Sequence, residues 1–269
     1  VQSVKVYEGE ESIPTYKMGA NNPSPIFYTG RSVQGAAGHY YPYPAQTSLG
    51  DKLTTETYNM VYLENEYLKV TIIPAFGGRL LSAIDKTNGH QLFHRNQEIK
   101  PDLIGTLGAW ISGGIEWCFP HHHRPTTLLP ADYRLVENTD GSATVWVGET
   151  ERGLGLRGVI GITLRPGRSY IETTYYLGNS NSITRNFLFW ANVAISADEN
   201  FRTFWPPEQE IGTFHNNSEY IHWPIADGTY RGVDYRNVDL TWWKNHPTPI
   251  SFFFWQGKKG FIGGYDYAK

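Results

Sequence analysis

Apolar and polar residues alternate along much of this chain, and a period of two predicts strands rather than helices. In the segment 160–177, Ile160, Ile162 and Leu164 alternate with smaller or polar residues. Pro166-Gly167 then marks a turn, and Ile171, Thr173, Tyr175 and Leu177 fall on one face of the returning strand. Asp140-Gly141-Ser142 is a second turn signal, joining a strand over 134–137 to one over 143–150. Further β-rich runs occupy 67–73, 187–195, 250–255 and 261–265. The 28 Gly and 16 Pro interrupt every window in which apolar residues might keep helical spacing for three turns. Many antiparallel strands must stack as two sheets or close into a barrel, because a single sheet leaves one apolar face wet. The fold class is therefore all-β.

Two stretches break the alternation. Over residues 1–60, Pro14, Pro23, Pro25, Pro42 and Pro44 interleave with Tyr and Gly, as in HYYPYPAQ, and predict an extended arm packed on a sandwich over 61–269. Proline removes ladder donors, so such an arm runs as loop and edge rather than as a central strand. Residues 96–130 also show little strand pattern and contain WISGGIEWCFPHHHR, at 110–124. Long loops on a rigid β scaffold are where function concentrates. No internal repeat or linker divides the chain, which reads as one structural domain.

Composition narrows the possibilities. Of the 269 residues 40% are hydrophobic and 18% charged, enough for a sizeable core. A net charge of -3 and no basic run argue against nucleic acid as a partner. The longest apolar runs, such as ISFFFW at 250–255, fall far short of the roughly 20 residues of a membrane span. Cys118, the single cysteine, excludes an internal disulfide. The start at Val1, with neither initiator Met nor apolar signal core, reads as an exported or periplasmic mature form or as a trimmed sequence, with the cytoplasm still open.

Candidate chemistry gathers in the irregular stretch. Glu116 follows Gly113-Gly114 and adjoins Trp117, so a backbone could approach a ligand closely while an aromatic face shields a carboxylate and raises its pKa into the range of an acid catalyst. The alternative is a hydrogen-bonding Glu116 that pairs with Arg124 or a sugar hydroxyl. Glycoside hydrolysis needs a second carboxylate, for which Glu149, Glu151, Glu208 and Asp198 are available. An extended backbone would turn His121 and His123 one way and His122 the other. Such a pair can chelate zinc with Glu116, Asp132, His215 or His222 as third ligand, but no zinc-site spacing is present. Hydrogen-bonding histidines, with no metal or other cofactor, are the favoured reading. Nine Trp and 18 Tyr supply stacking surfaces for sugars, with Trp205-Pro206-Pro207 and His222-Trp223-Pro224 as rim pieces. The motifs of nucleotide, nicotinamide and serine-hydrolase chemistry are absent from the sequence.

The run LENEYLKVTIIPAFGGRLLSAIDKTNGHQLFH resembles the opening strands of galactose-mutarotase-like domains, through Pro74, Gly77, Gly78, Arg79, Asp85 and Lys86. Together with GAWISGGIEWCFPHHHRPTT, DGSATVWVGE and FWANVAISA, it resembles the DUF5107 family, which often occurs fused to tetratricopeptide repeats. From residue 13 onward the resemblance implies a β-supersandwich with a sugar on its concave face and a tetratricopeptide region beyond the C-terminal end. Two departures bear on the reaction. Aldose epimerases carry a strand histidine where this chain has Trp190-Ala191-Asn192-Val193, and a late glutamate, whereas GFIGGYDYAK ends at Lys269 as though further strands follow.

The leading expectation is a carbohydrate-active domain of glycosidase or epimerase chemistry. Glu116, His122 and His123 are its candidate catalytic residues. Arg79, Trp110, Trp117, His121, Arg124, Trp190, Asn192, Trp205, His215 and Trp223 are its candidate substrate contacts. The alternatives are a non-catalytic glycan-binding module and a scaffold for protein contacts.

Overall fold

A computed structural model describes residues 2–22, 32–33, 36–37, 42–105, 107–215, 219–255 and 257–268. Pro23, Pro25 and the first three residues of HYYPYPAQ lie outside them. The fold is all-β, with several antiparallel sheets, and the chain divides into two compact units, Val1–Ile195 and Ser196–Lys269.

The strands of three or more residues in the first unit are β1 (Lys5–Tyr16), β2 (Leu53–Glu64), β3 (Leu68–Ile73), β4 (Arg79–Asp85), β5 (Asp102–Gly105), β6 (Gly108–Trp110), β7 (Ile115–Cys118), β8 (Asp132–Glu137), β9 (Ala143–Thr150), β10 (Leu156–Leu164), β11 (Glu172–Asn179) and β12 (Trp190–Val193). Six of them form one sheet in the order β1-β2-β3-β4-β7-β12, and β8-β9-β10-β11 form a second as a simple meander. The predicted turns at Asp140-Gly141-Ser142 and Pro166-Gly167 join β8 to β9 and β10 to β11.

The core follows from strand periodicity. Leu63, Val70, Ile72, Leu80, Ile115 and Trp117 point from the first sheet to Val145, Val147, Ile160 and Ile162 of the second. The first sheet also buries part of its other face, where Met60, Tyr62, Ile73 and Leu81 meet Ile99 and Ile111. Two-sided burial explains why 68–73 reads as an almost continuous apolar run.

Two expectations change. The first 60 residues are more than an arm: β1 pairs with β2 along all twelve residues, and residues 53–60 lie inside the sheet. Pro14 is tolerated because β1 is an edge strand and the Pro14 carbonyl faces outward, accepting from the Ile99 amide at 2.8 Å, so its missing N–H faces outward too. Residues 96–130 are likewise more than a loop, since Ile115–Cys118 is an interior strand between β4 and β12. Four residues are too few to display a period. The predicted runs at 187–195, 250–255 and 261–265 shorten to Trp190–Val193, Phe252–Phe253 and Gly263–Asp266.

The second unit is built of short ladders. β13 (Phe201–Phe204) and β17 (Gly263–Asp266) form one, while β14 (Ile211–Phe214) lies between β15 (Tyr220–His222) and β16 (Phe252–Phe253). Its core is aromatic, with Phe214, Trp223, Tyr230 and Tyr235 buried beside Ile221 and Leu240. Among the described residues no helix is long and apolar enough to cross a membrane.

Gly114 turns the chain into β7 with a φ of +62°, and a Cβ there would sit 2.1 Å from the Leu80 carbonyl oxygen. Gly89 has a comparable φ of +76° but open space around it. Gly114→Ala should therefore cost at least about 2 kcal/mol. Gly89→Ala should cost only about 1 kcal/mol, the backbone penalty alone. Urea unfolding of both variants tests this, and equal losses would refute the close approach of Gly114 to β4.

Candidate functional site

Side chains alternate across a strand, and that rule sorts the residues of β7. Ile115 and Trp117 enter the core between the sheets, where Trp117 Nε1 donates to the Gly78 carbonyl at 3.1 Å. Glu116 and Cys118 point to the opposite face. On β12, Asn192 pairs with Glu116 and Trp190 with Cys118, so these four share that face. Arg79 joins them from β4 and Trp110 from β6, and the 120–127 segment covers them with His123 and Thr127.

Glu116 is the hub. Its Oε2 accepts from Trp110 Nε1 at 2.8 Å, His123 Nδ1 at 2.8 Å and Asn192 Nδ2 at 3.3 Å, and its Oε1 accepts from Thr127 Oγ1 at 2.7 Å. With 3% exposure, this carboxylate has exchanged water for protein donors almost entirely. Burial alone would raise its pKa. The His123 hydrogen bond, the charges of Arg79 and His123, and the Trp110 bond together outweigh burial and hold it at about 2. This is the reverse of the shift that aromatic shielding predicts. The shielding ring is also Trp110, since Trp117 lies on the other face.

Arg79 is 2% exposed and donates from Nη1 to the Gly113 carbonyl at 2.7 Å. Its guanidinium carbon lies 5.9 Å from the centre of the Trp110 ring. Burial pushes its pKa down and the charge of Glu116 opposes that shift. Arg124 does not pair with Glu116. It donates to the Gly77 carbonyl at 2.7 Å and lies 3.3 Å from Glu149 Oε1, which also accepts from Thr126.

The histidine run is bent rather than extended. His122 has a φ of +37°, and the His122 and His123 rings meet edge to face at 4.6 Å. His123 packs against Trp110 at 5.1 Å and Trp190 at 5.4 Å, while Trp190 Nε1 donates to the His122 carbonyl at 3.2 Å. An ionised carboxylate can only accept, so His123 carries a hydrogen on Nδ1. His121 stays half-buried in the same segment.

The remaining expected residues are elsewhere. Trp205, His215 and Trp223 belong to the second unit, where His215 Nδ1 lies 3.0 Å from Ser251 Oγ. Among the proposed second carboxylates, Glu151 is buried and accepts from the Gly153 and Leu154 amides, both at 2.6 Å. Glu208 and Asp198, in the second unit, accept from backbone amides as well.

Two residues of the cluster went unrecognised. Thr127 carries no signal in the sequence, whereas Cys118 would have been found once 115–118 was read as a strand, being two residues from Glu116. Glu116, Cys118 and His123 bring a carboxylate oxygen, a thiol and a ring nitrogen within 4.8 Å of one another. The set suits a hydrogen-bonded carboxylate better than a metal. The lone pairs of Glu116 already face four protein donors, which a metal would have to displace. Burial and then the Glu116 charge push the Cys118 thiol up.

Trp110 connects this hub to solvent. Half-buried, it lines a groove of about 640 Å³ together with Tyr16, Asn96, Glu98, Lys100 and Ser112. Asn96 Nδ2 donates to Ser112 Oγ at 2.8 Å, and Lys100 Nζ lies 5.2 Å from the centre of the Tyr16 ring. The groove thus joins aromatic surface to uncharged and charged polar groups.

Residues 36–266 match the protein family described as Domain of unknown function (DUF5107). A crystal structure described as that of a TPR-domain containing protein from Parabacteroides distasonis ATCC 8503, at 2.26 Å resolution, shares the fold with a TM-score of 0.72. The two sequences are 22% identical, and the match covers 87% of this chain and 38% of that protein.

A carboxylate whose pKa falls on folding stabilises the folded state above its unfolded value near 4.5 and loses that contribution as the pH falls towards 2. Glu116→Gln removes the titration. The stability difference between wild type and Glu116→Gln should therefore shrink by about 3 kcal/mol from about pH 6 to about pH 2. Urea titrations across that range measure it, and a difference independent of pH would show that Glu116 is not held ionised.

Proposed function

Since the chain belongs to the DUF5107 family, whose description names no function, we propose a reading drawn from its own residues: the first unit is a carbohydrate-binding domain, with Trp110 as its stacking surface. The observation that carries it is the placement of Trp110. Its N–H is held by the ionised Glu116, and its ring lines the groove of about 640 Å³. A half-buried ring held at its N–H and packed against His123 is preorganised, which reduces the entropy lost on binding. The C–H face of a sugar packs on such a ring, and Asn96, Glu98 and Lys100 are available to its hydroxyls. We include the galactose-mutarotase-like placement in this proposal. It is supported by the succession of β3, Pro74, Gly77-Gly78 and β4, and by the pairing of two antiparallel sheets.

Binding is favoured over catalysis by the state of Glu116. A carboxylate ionised far below neutral pH carries no proton to donate, and it is a weak base. Asn192, on the strand where the resemblance puts an epimerase histidine, donates to Glu116 instead of reaching for substrate. Glu116 is on this reading a positioning residue for Trp110 and His123.

A second reading, a scaffold for protein contacts, is favoured by the apolar side chains exposed on and beyond β11, Tyr176, Leu177, Phe187 and Leu188 among them. It also draws on the TPR-domain containing protein that shares the fold.

Thermal-shift measurements with an oligosaccharide panel separate the readings, because a ligand at a hundred times its Kd stabilises by about 2.7 kcal/mol. At least one oligosaccharide should raise the Tm, and Trp110→Ala should weaken that binding at least about tenfold, or about 1.4 kcal/mol. No shift with any oligosaccharide would leave the scaffold reading. Release of reducing ends that Glu116→Gln abolishes would replace binding with catalysis.

A further inference from the structure

The second unit brings the two Trp-Pro motifs to one place. Trp205, Pro206, Pro207, Trp223 and Pro224 line a depression of about 250 Å³, together with Tyr265 and Tyr267. The Trp205 and Trp223 rings meet edge to face at 5.8 Å. Tyr265 and Tyr267, two residues apart at the end of β17, are in ring contact at 4.9 Å and are 56% and 61% exposed.

Gln209 lines the same depression with 6% exposure. Its amide nitrogen lies against Gly257, where a Cβ would come within 2.3 Å. Its Oε1 is buried and has no hydrogen-bond partner among the described residues. A buried carbonyl oxygen left without a donor is costly, and in native proteins such a group calls for an explanation.

We infer that this depression is a binding site for one neutral sugar ring, whose C–H face packs on the aromatic wall while Gln209 turns its amide toward the depression and accepts from a hydroxyl at Oε1. The volume is below the roughly 300–1,000 Å³ typical of drug-sized pockets, which suits a single ring rather than a chain. The ligand is neutral because no carboxylate lines the depression and its one cation is engaged. Arg202 Nε donates to Thr241 Oγ1 at 2.9 Å, its Nη2 donates to Asp239 Oδ2 at 3.2 Å, and its guanidinium lies 5.2 Å from the centre of the Trp242 ring. A proline ring would suit the aromatic wall but has no N–H to offer Gln209. The inference rests on the second unit alone and is independent of the Trp110 groove.

The test is saturation-transfer NMR and titration of the full chain with methyl β-D-galactopyranoside, methyl β-D-glucopyranoside and methyl α-D-mannopyranoside, with glucuronic acid and glucosamine as charged comparators. At least one neutral glycoside should receive saturation on its ring C–H protons in wild type and in Trp110→Ala alike. Tyr265→Ala and Gln209→Leu should each weaken it about tenfold or more, and the charged sugars should bind at least about tenfold more weakly. Tyr265 is exposed, so its variant keeps the fold and remains informative if Gln209→Leu does not. The inference is overturned if no neutral glycoside binds, or if Tyr265→Ala leaves affinity unchanged. A signal abolished by Trp110→Ala alone belongs to the first groove and overturns it too, as does binding at Tyr265 of a proline-rich peptide in place of sugar.

Discussion

Taking an ionised carboxylate out of water requires that its lone pairs meet donors, and in the first unit much of the local architecture answers to that requirement at Glu116. Trp110, His123, Thr127 and Asn192 all donate to it, and they come from β6, from the covering segment and from β12. Arg79 balances the charge from β4. Removing one donor would leave the charge in place and undersatisfied, so the elements that carry the donors are held together more firmly than their short ladders would ensure. The half-buried position of Trp110, at the edge of this arrangement, is a by-product of the same requirement.

The same requirement separates the chemistry that the site supports from the chemistry that its composition suggests. A glutamate beside tryptophans and histidines is also the composition of an acid catalyst, whose carboxyl must keep its proton near neutral pH. The difference lies in what surrounds the oxygens: apolar walls raise a carboxyl pKa, whereas N–H and O–H donors with a nearby guanidinium lower it. Here burial and donors act together and the donors prevail. The two units also use their aromatic residues differently. The first tethers one indole beside a polar groove, and the second builds much of its core from rings and leaves Tyr265 and Tyr267 at the surface.

Much of the strand framework was legible in the sequence because alternation and turn chemistry are local. Pro166-Gly167 and Asp140-Gly141-Ser142 close their hairpins through backbone preferences, and 160–164 needs only its own side chains to declare a buried face. Longer context defeated the same rules at both ends of the first sheet. The prolines around residues 14 and 42 obscured β1 and β2, since only the sheet's edge order shows that Pro14 costs no ladder bond. At 115–118 the strand is too short to show a period, so nothing local separates Trp117, which faces the core, from Cys118, which faces the site.

By itself the sequence determined an all-β fold, the turns, and the stretch in which the polar hub lies, because these depend on residues near one another along the chain. It also identified Glu116, His123, Trp110 and Asn192 as residues of interest. Their roles were decided by tertiary structure alone. Which face Glu116 occupies, which cation balances it and whether its pKa rises or falls all depend on groups drawn together from distant segments, Arg79 and Asn192 among them. Electrostatic energy depends on distance in space and on exclusion of water, and spacing along a sequence specifies neither.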